Sequence, residues 1–162
     1  MAVNLTRPAP EPIGPEARLY LKEEELDRAV ELVFAATRRF WKAAEGPLEA
    51  RGLGPAHYRA LAAIRRAEGL SVSALRAGLD VTKQSLARVL TELEREGLIA
   101  RLPGPADRRQ RLLRLTDAGR TAERDASAAL RERLAHIFRL AGADAVAGAR
   151  QVLAALAAED AP

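Results

Sequence analysis

Most of this chain spaces its apolar residues by three and four, as helices do, but the segment after Gly97 does not. Leu98-Ile99-Ala100-Arg101-Leu102 is short and β-compatible, and Pro103-Gly104-Pro105 breaks it. Arg109 to Leu115 is a second short run, mixing leucine with arginine. Two such runs around a proline–glycine break predict a β-hairpin with a charged tip. Helical patterns on both sides make the expected fold class mainly α, with one small β-wing.

Before the hairpin, Glu23 to Glu45 reads as a long helix with the stripe Leu26, Val30, Val33, Phe34, Thr37, Phe40, Trp41, Ala44. Gly46-Pro47 and Gly52-Leu53-Gly54-Pro55 punctuate the stretch after it. A second helix starts near Pro55, a favourable first-turn residue, carries Tyr58, Leu61 and Ile64, and stops at Gly69. Ser71 caps a short helix closed by Gly78-Leu79-Asp80. The next helix runs from its cap Thr82 to Gly97, with Leu86, Val89, Leu90 and Leu93 on its buried side. After the hairpin, Thr116 caps a long helix whose stripe includes Ala122, Ala126, Leu130, Leu134 and Ile137. Gly142 interrupts it, and a last helix spans about residues 144–158. Helix, helix, short helix, helix, hairpin, long helix, helix is the element order, and its centre has the layout of a winged helix-turn-helix.

Charge is concentrated at that centre. Residues 51–116 hold thirteen Lys/Arg against six Asp/Glu, while the rest of the chain holds thirteen against sixteen. A net +4 thus hides a strongly basic centre flanked by slightly acidic parts. That is the footprint of a module meeting polyphosphate, although a solvated basic surface has the same charge count. There is no cysteine, which excludes disulfides, thiolate metal sites and a thiol switch in this chain. No apolar run reaches the length of a membrane span, and the proline-bearing start lacks the apolar stretch of a secretory signal. The expectation is a soluble cytoplasmic protein without metal or cofactor. No nucleophile–base set or phosphate-binding glycine loop suggests an enzyme.

A helix that reads DNA puts short polar and basic side chains on its first turns, because that end enters the major groove. Here Lys83, Gln84 and Ser85 follow Thr82, and Arg88 lies one turn beyond Gln84 on the same face. Glutamine suits adenine, arginine suits guanine, and Lys83 with the helix-start amides suits phosphate. An ordinary amphipathic helix with a wet side shows the same pattern. Ser71 and Ser73, at the start of the preceding short helix, join the candidate DNA contacts. The wing supplies Arg108, Arg109 and Arg111, suited to a narrow minor groove, with Asp107 expected to pair with a nearby arginine and fix the loop.

The run VTKQSLARVLTELEREGLIARLPGPADRRQRLLRLTDAGR resembles the MarR family of winged helix-turn-helix transcriptional regulators. The likeness lies in Leu93 to Gly97-Leu98 at the end of the recognition helix, Asp107-Arg108-Arg109 in the wing, and Leu115-Thr116-Asp117-Ala118-Gly119 after it. It implies that Arg109 is the minor-groove arginine and Asp107 its positioning partner. It also implies that the first helix and the last two interleave with those of a second copy. The expected domains are an N-terminal arm at 1–20, a dimerisation region at 21–50 with 117–162, and a DNA-binding domain at 51–116. The expected function is a transcriptional regulator, in the first instance a repressor, bound to double-stranded DNA at a palindromic operator. The alternative is a weakly specific architectural DNA-binding protein.

Many regulators of that family release DNA on binding a small aromatic acid between the lobes, and others respond to zinc or thiol oxidation. Only His57 and His136 are present, far apart, so a zinc site is poorly supported. A pocket for a small aromatic ligand is expected from Phe40, Trp41, His57 and Tyr58, with Arg38 or Arg39 meeting a carboxylate, although Phe40 and Trp41 also lie on the core stripe.

Overall fold

A computed structural model describes residues 22–104 and 111–158 of the chain. The elements in chain order are α1 (Glu23–Lys42), α2 (Glu45–Glu49), α3 (Pro55–Arg66), β1 (Leu70–Ser71), α4 (Val72–Leu79), α5 (Lys83–Arg95), β2 (Ile99–Pro103), β3 (Arg111–Leu115), α6 (Asp117–Ala141) and α7 (Ala143–Leu156). The architecture is a mainly helical winged helix-turn-helix with further helices before and after it. The described residues divide into two compact units, one within Phe34–Arg133 and the other formed by those up to Val33 and those from Leu134 onward.

Local chemistry fixes most element ends where the residue pattern placed them. Ser71 Oγ accepts the Ala74 N–H at 3.1 Å and starts α4. Thr82 Oγ1 accepts the Ser85 N–H at 3.2 Å and starts α5. Between them Asp80 sits at φ 48°, a left-handed conformation that asparagine and aspartate tolerate better than most side chains. Arg59 Nη2 donates to the Leu79 carbonyl at 2.9 Å, so α3 holds the end of α4 at this turn.

Two elements depart from the sequence expectation. The first helix stops at Lys42, not Glu45, and Glu45–Glu49 forms a separate short helix. Pro47 falls in that helix's first turn, where its missing N–H costs nothing, so the glycine–proline pair begins a helix here. The second departure is β1, only two residues long. Leu70 pairs with Leu113 and Ser71 with Leu112, making a three-stranded antiparallel sheet in the order β1-β3-β2.

Within the Phe34–Arg133 unit the core is a leucine-rich cluster. It includes Leu61 and Ile64 of α3, Leu75 of α4, Leu86, Leu90 and Leu93 of α5, and Leu98, Leu113 and Leu115 around the sheet. Val89, expected buried, is only partly so. Ala122, Ala126 and Leu130 of α6 complete the cluster. In the other unit no described residue is buried, and Leu26, Val30, Leu32, Val33, Leu140, Val152, Leu153 and Leu156 are exposed.

The wing is tied down at its base. Thr116 donates its N–H to the Leu98 carbonyl at 3.0 Å and its hydroxyl to the Gly97 carbonyl at 2.7 Å. Its Oγ1 also accepts the Gly119 N–H at 3.0 Å, capping α6. Gly119 is buried against Leu98, and a Cβ there would overlap the Leu98 carbonyl oxygen and lie 2.9 Å from its carbon. Glycine is required here for close approach, so the last residue of Leu115-Thr116-Asp117-Ala118-Gly119 has a steric reason.

Candidate nucleic-acid interface

The start of α5 exposes Thr82, Lys83, Gln84, Ser85 and Arg88 together, with no acidic residue in the first turn. Leu86, Leu90 and Leu93 face the core and fix how this exposed side is presented. Unpaired N–H groups and the positive end of the helix dipole lie at the same end, which favours an anion. Ser85 Oγ accepts from the Thr82 hydroxyl at 2.9 Å, so this pair is partly engaged within the turn. Ser73 is exposed, while Ser71 is half-buried and its hydroxyl is used as the α4 cap, bonded also to Ser73 Oγ at 3.0 Å.

The hairpin pairs Ile99 with Leu115 and continues outward through Arg101 opposite Leu113 to Pro103 opposite Arg111. Leu113 and Leu115 turn inward and Arg114 between them is exposed, as the alternation of a half-buried strand requires, while Arg111 shares the face of Leu113 and is exposed because it lies beyond the core. Arg101 Nε meets Glu94 Oε1 at 2.8 Å and so ties β2 to α5. Arg111 thus stands at the far end of the described ladder. Asp107, Arg108 and Arg109 lie outside the described residues.

Glu92 belongs to the same exposed side of α5 and is absent from the candidate contacts read in the sequence. It lies one turn beyond Arg88, and its Oε1 accepts Arg88 Nε–H at 2.9 Å. Its Oε2 meets His57 Nε2 at 2.6 Å. Arg88 first, and then His57, hold the Glu92 carboxyl below the ordinary carboxylate value, and Glu92 raises the Arg88 guanidinium further. The i, i+4 spacing was a visible signal, but the histidine partner lies 35 residues away in sequence.

The residues expected to bind a ligand do not all meet. Phe40 and Trp41 have ring centroids 5.5 Å apart, and Trp41 stands edge-on to Tyr58 at the same distance. Tyr58 OH bonds Ser127 Oγ at 2.9 Å, which in turn donates to the buried Glu123 at 2.6 Å, and Glu123 is paired with Arg65. His57 turns instead toward Glu92 and accepts the Gly54 N–H on Nδ1 at 3.0 Å. The void beside Trp41 is about 30 Å³, space for a water and not for an aromatic acid. A larger cavity of about 420 Å³ is lined by Arg39, Lys42, Ala43 and Arg133, none of which has a carboxylate partner among the described ion pairs. Arg38 is exposed and does not line it. No described group of histidines and carboxylates can hold a metal ion, and no described helix is long and apolar enough to cross a membrane.

The MarR family model matches residues 51–110. The HTH-type transcriptional regulator PetP of Rhodobacter capsulatus is 43% identical over 143 residues, which is 88% of this chain and 86% of that protein. Among solved structures, the transcriptional repressor CouR bound to a 23-mer DNA duplex superposes with a TM-score of 0.71 at 26% identity, covering 85% of this chain and 99% of that one. CouR from Rhodococcus jostii RHA1 bound to p-coumaroyl-CoA superposes with a TM-score of 0.67 at 26% identity, over 83% and 95% of the two chains.

Proposed function

The chain belongs to the MarR family, and from that premise we propose that it is a cytoplasmic transcriptional repressor that binds a palindromic operator as a homodimer and is released by a small acidic ligand. The observation that carries the reading is the exposed set Lys83, Gln84 and Arg88 on the first turns of a helix whose other side is locked into the core. In that reading α5 enters the major groove, with Gln84 and Arg88 at base edges. Ser71, Ser73, Thr82, Lys83 and Ser85 contact phosphate or sugar and fix the register. The wing follows the adjacent minor groove with Arg108, Arg109 and Arg111, and Asp107 holds Arg109 in place.

Dimerisation is supported by the apolar side chains left exposed in the unit in which no described residue is buried. A patch of that kind marks an interaction site in a protein that must stay in solution. A two-fold dimer presents two α5 helices about one DNA turn apart, roughly 34 Å, and so favours a palindrome. For the ligand, the related complex with p-coumaroyl-CoA supports a molecule that joins an aromatic group to acidic groups. The cavity of Arg39, Lys42 and Arg133 is a better place for its acidic end than Arg38. Trp41 is the only tryptophan, so its fluorescence reports directly on that region.

The test is titration of wild type and Arg109→Ala on an operator footprinted upstream of the protein's own gene, at fixed salt. The loss expected is roughly 1–3 kcal/mol, with the dimer intact by light scattering. Unchanged affinity would remove the wing from the groove, a monomer at micromolar concentration would remove the dimer, and equal affinity for operator and unrelated DNA would leave an architectural protein.

A further inference from the structure

On the exposed side of α5 lies a connected set of side chains that the proposed DNA contacts do not explain. Arg88, 81% exposed, gives its Nε–H to Glu92, while Glu92, only 23% exposed, is held from behind by His57. His57 is buried, and its Nδ1 accepts the backbone N–H of Gly54, the residue that precedes α3. Since Nδ1 is the acceptor, the ring proton is on Nε2, and it is donated to Glu92. The order of support therefore runs from the fixed backbone at the start of α3, through a buried ring, to a carboxylate, to an exposed guanidinium.

We propose that Glu92, anchored by His57, is the positioning residue that aims Arg88 at a guanine, so that sequence discrimination at one base pair per half-site depends on all three side chains. The proposal rests on the reading of Arg88 as a base contact. The geometry supports it in two ways. A guanidinium has two donor edges, and a carboxylate on Nε leaves the terminal Nη pair for the guanine O6 and N7 acceptors. An exposed arginine otherwise samples many rotamers and reaches any nearby phosphate. Holding Nε limits that choice before DNA arrives, as support by neighbouring groups does for other binding residues. Glu92 also places a negative charge beside the groove, which repels phosphate and lowers affinity for every sequence alike. A carboxylate in that position makes sense where discrimination, not total affinity, is the quantity being raised.

The experiment uses the full chain and a palindromic site selected from a random duplex library. Each G·C pair of the half-site is replaced in turn by A·T, and affinities are measured at one salt concentration. Wild type is expected to prefer the intact site roughly tenfold or more at one pair, the scale of a bidentate contact. Arg88→Ala abolishes that preference. Glu92→Gln abolishes most of it at the same pair, while affinity for unrelated DNA is unchanged or tighter. His57→Leu behaves like Glu92→Gln, and His57→Gln, which keeps a donor toward Glu92, retains the preference. Thermal unfolding of each variant confirms that it is folded at the assay temperature.

The two readings fail differently. If Arg88→Ala leaves the preference at every pair unchanged, Arg88 does not read a base and both readings fall. If Arg88→Ala removes the preference and Glu92→Gln keeps it, Arg88 reads the base unaided and only the positioning role is overturned. If Glu92→Gln weakens all sequences by one factor, Glu92 merely supports the fold and the proposal is likewise overturned.

Discussion

Replacing Gly119 by alanine sets two well-known effects against each other. Alanine is favoured over glycine in a helix by up to about 1 kcal/mol, the full value belonging to interior positions and Gly119 lying in the first turn, so propensity alone makes Gly119→Ala neutral to stabilising. The structure reverses the sign. The added Cβ would overlap the Leu98 carbonyl oxygen and lie 2.9 Å from its carbon, against backbone that has no rotamer to yield. Ordinary contacts between such atoms sit at about 3.5–4.0 Å, so the start of α6 must retreat from Leu98 by roughly an ångström. Three hydrogen bonds depend on that joint: two cross it, from Thr116 to the carbonyls of Leu98 and Gly97, and the third is the cap bond from the Gly119 N–H to Thr116 beside them. At about 1 kcal/mol each, losing them costs about 3 kcal/mol, or about 2 kcal/mol after the full helix gain, and incomplete relaxation raises the total toward about 4 kcal/mol.

A domain of this size loses about 2–4 °C of Tm per kcal/mol, so the expected fall is roughly 5–15 °C. The assay is thermal unfolding at one protein concentration, because association makes Tm concentration-dependent. Gly78 of α4 provides the control, since its added Cβ would meet nothing within 4 Å. There alanine should raise stability by up to about 1 kcal/mol. A Tm for Gly119→Ala equal to or above wild type would refute the close-approach argument.

Two further outcomes concern polar contacts inside the Phe34–Arg133 unit. Glu123 is buried while Arg65 is half-exposed, so Arg65→Ala strands a carboxylate with Ser127 alone and should cost about 2–3 kcal/mol in urea melts. Glu123→Gln keeps hydrogen bonds to both neighbours and should cost about 1 kcal/mol or less; the opposite ranking would mean that the stranded charge is not the cause. Glu92 makes a pH prediction, since its folded-state carboxyl is held below the ordinary 4.5, by Arg88 first and by His57 second. A lowered folded value stabilises above the unfolded value and is lost as pH falls through the folded one. The Tm gap between wild type and Glu92→Gln should therefore hold from pH 5.5 down to about 4.5 and close below that. A gap that widens on acidification contradicts the assignment.

What could be read in the residues divides along a physical line. Elements fixed by neighbours in sequence were legible: the caps Ser71, Thr82 and Thr116 act on N–H groups three residues on, and the hairpin shows as a change of period between two turn signals. β1 was not legible, because two residues have no period and Leu70 becomes strand only by pairing with Leu113. The short helix α2 was hidden because a glycine–proline pair signals a break unless the proline falls in a first turn. The expected ligand group shows the same limit. Phe40, Trp41 and Tyr58 do come together, but Tyr58 is bonded to Ser127 and His57 is bonded to Glu92, partners that lie 69 and 35 residues away.

Glu92 makes the point most sharply. Arginine followed four residues later by glutamate is a common pair on helix surfaces, worth little by itself and carrying no information about function. The difference here lies in the second carboxylate oxygen. It is bonded to a buried ring whose other nitrogen is fixed to backbone at the start of another helix. Orientation is therefore imposed on Arg88 from the core outward, and that imposition exists only after α3 and α5 have packed. Single-chain patterning identifies which side chains face outward, whereas the aim of an outward-facing arginine is a property of the tertiary contacts behind it.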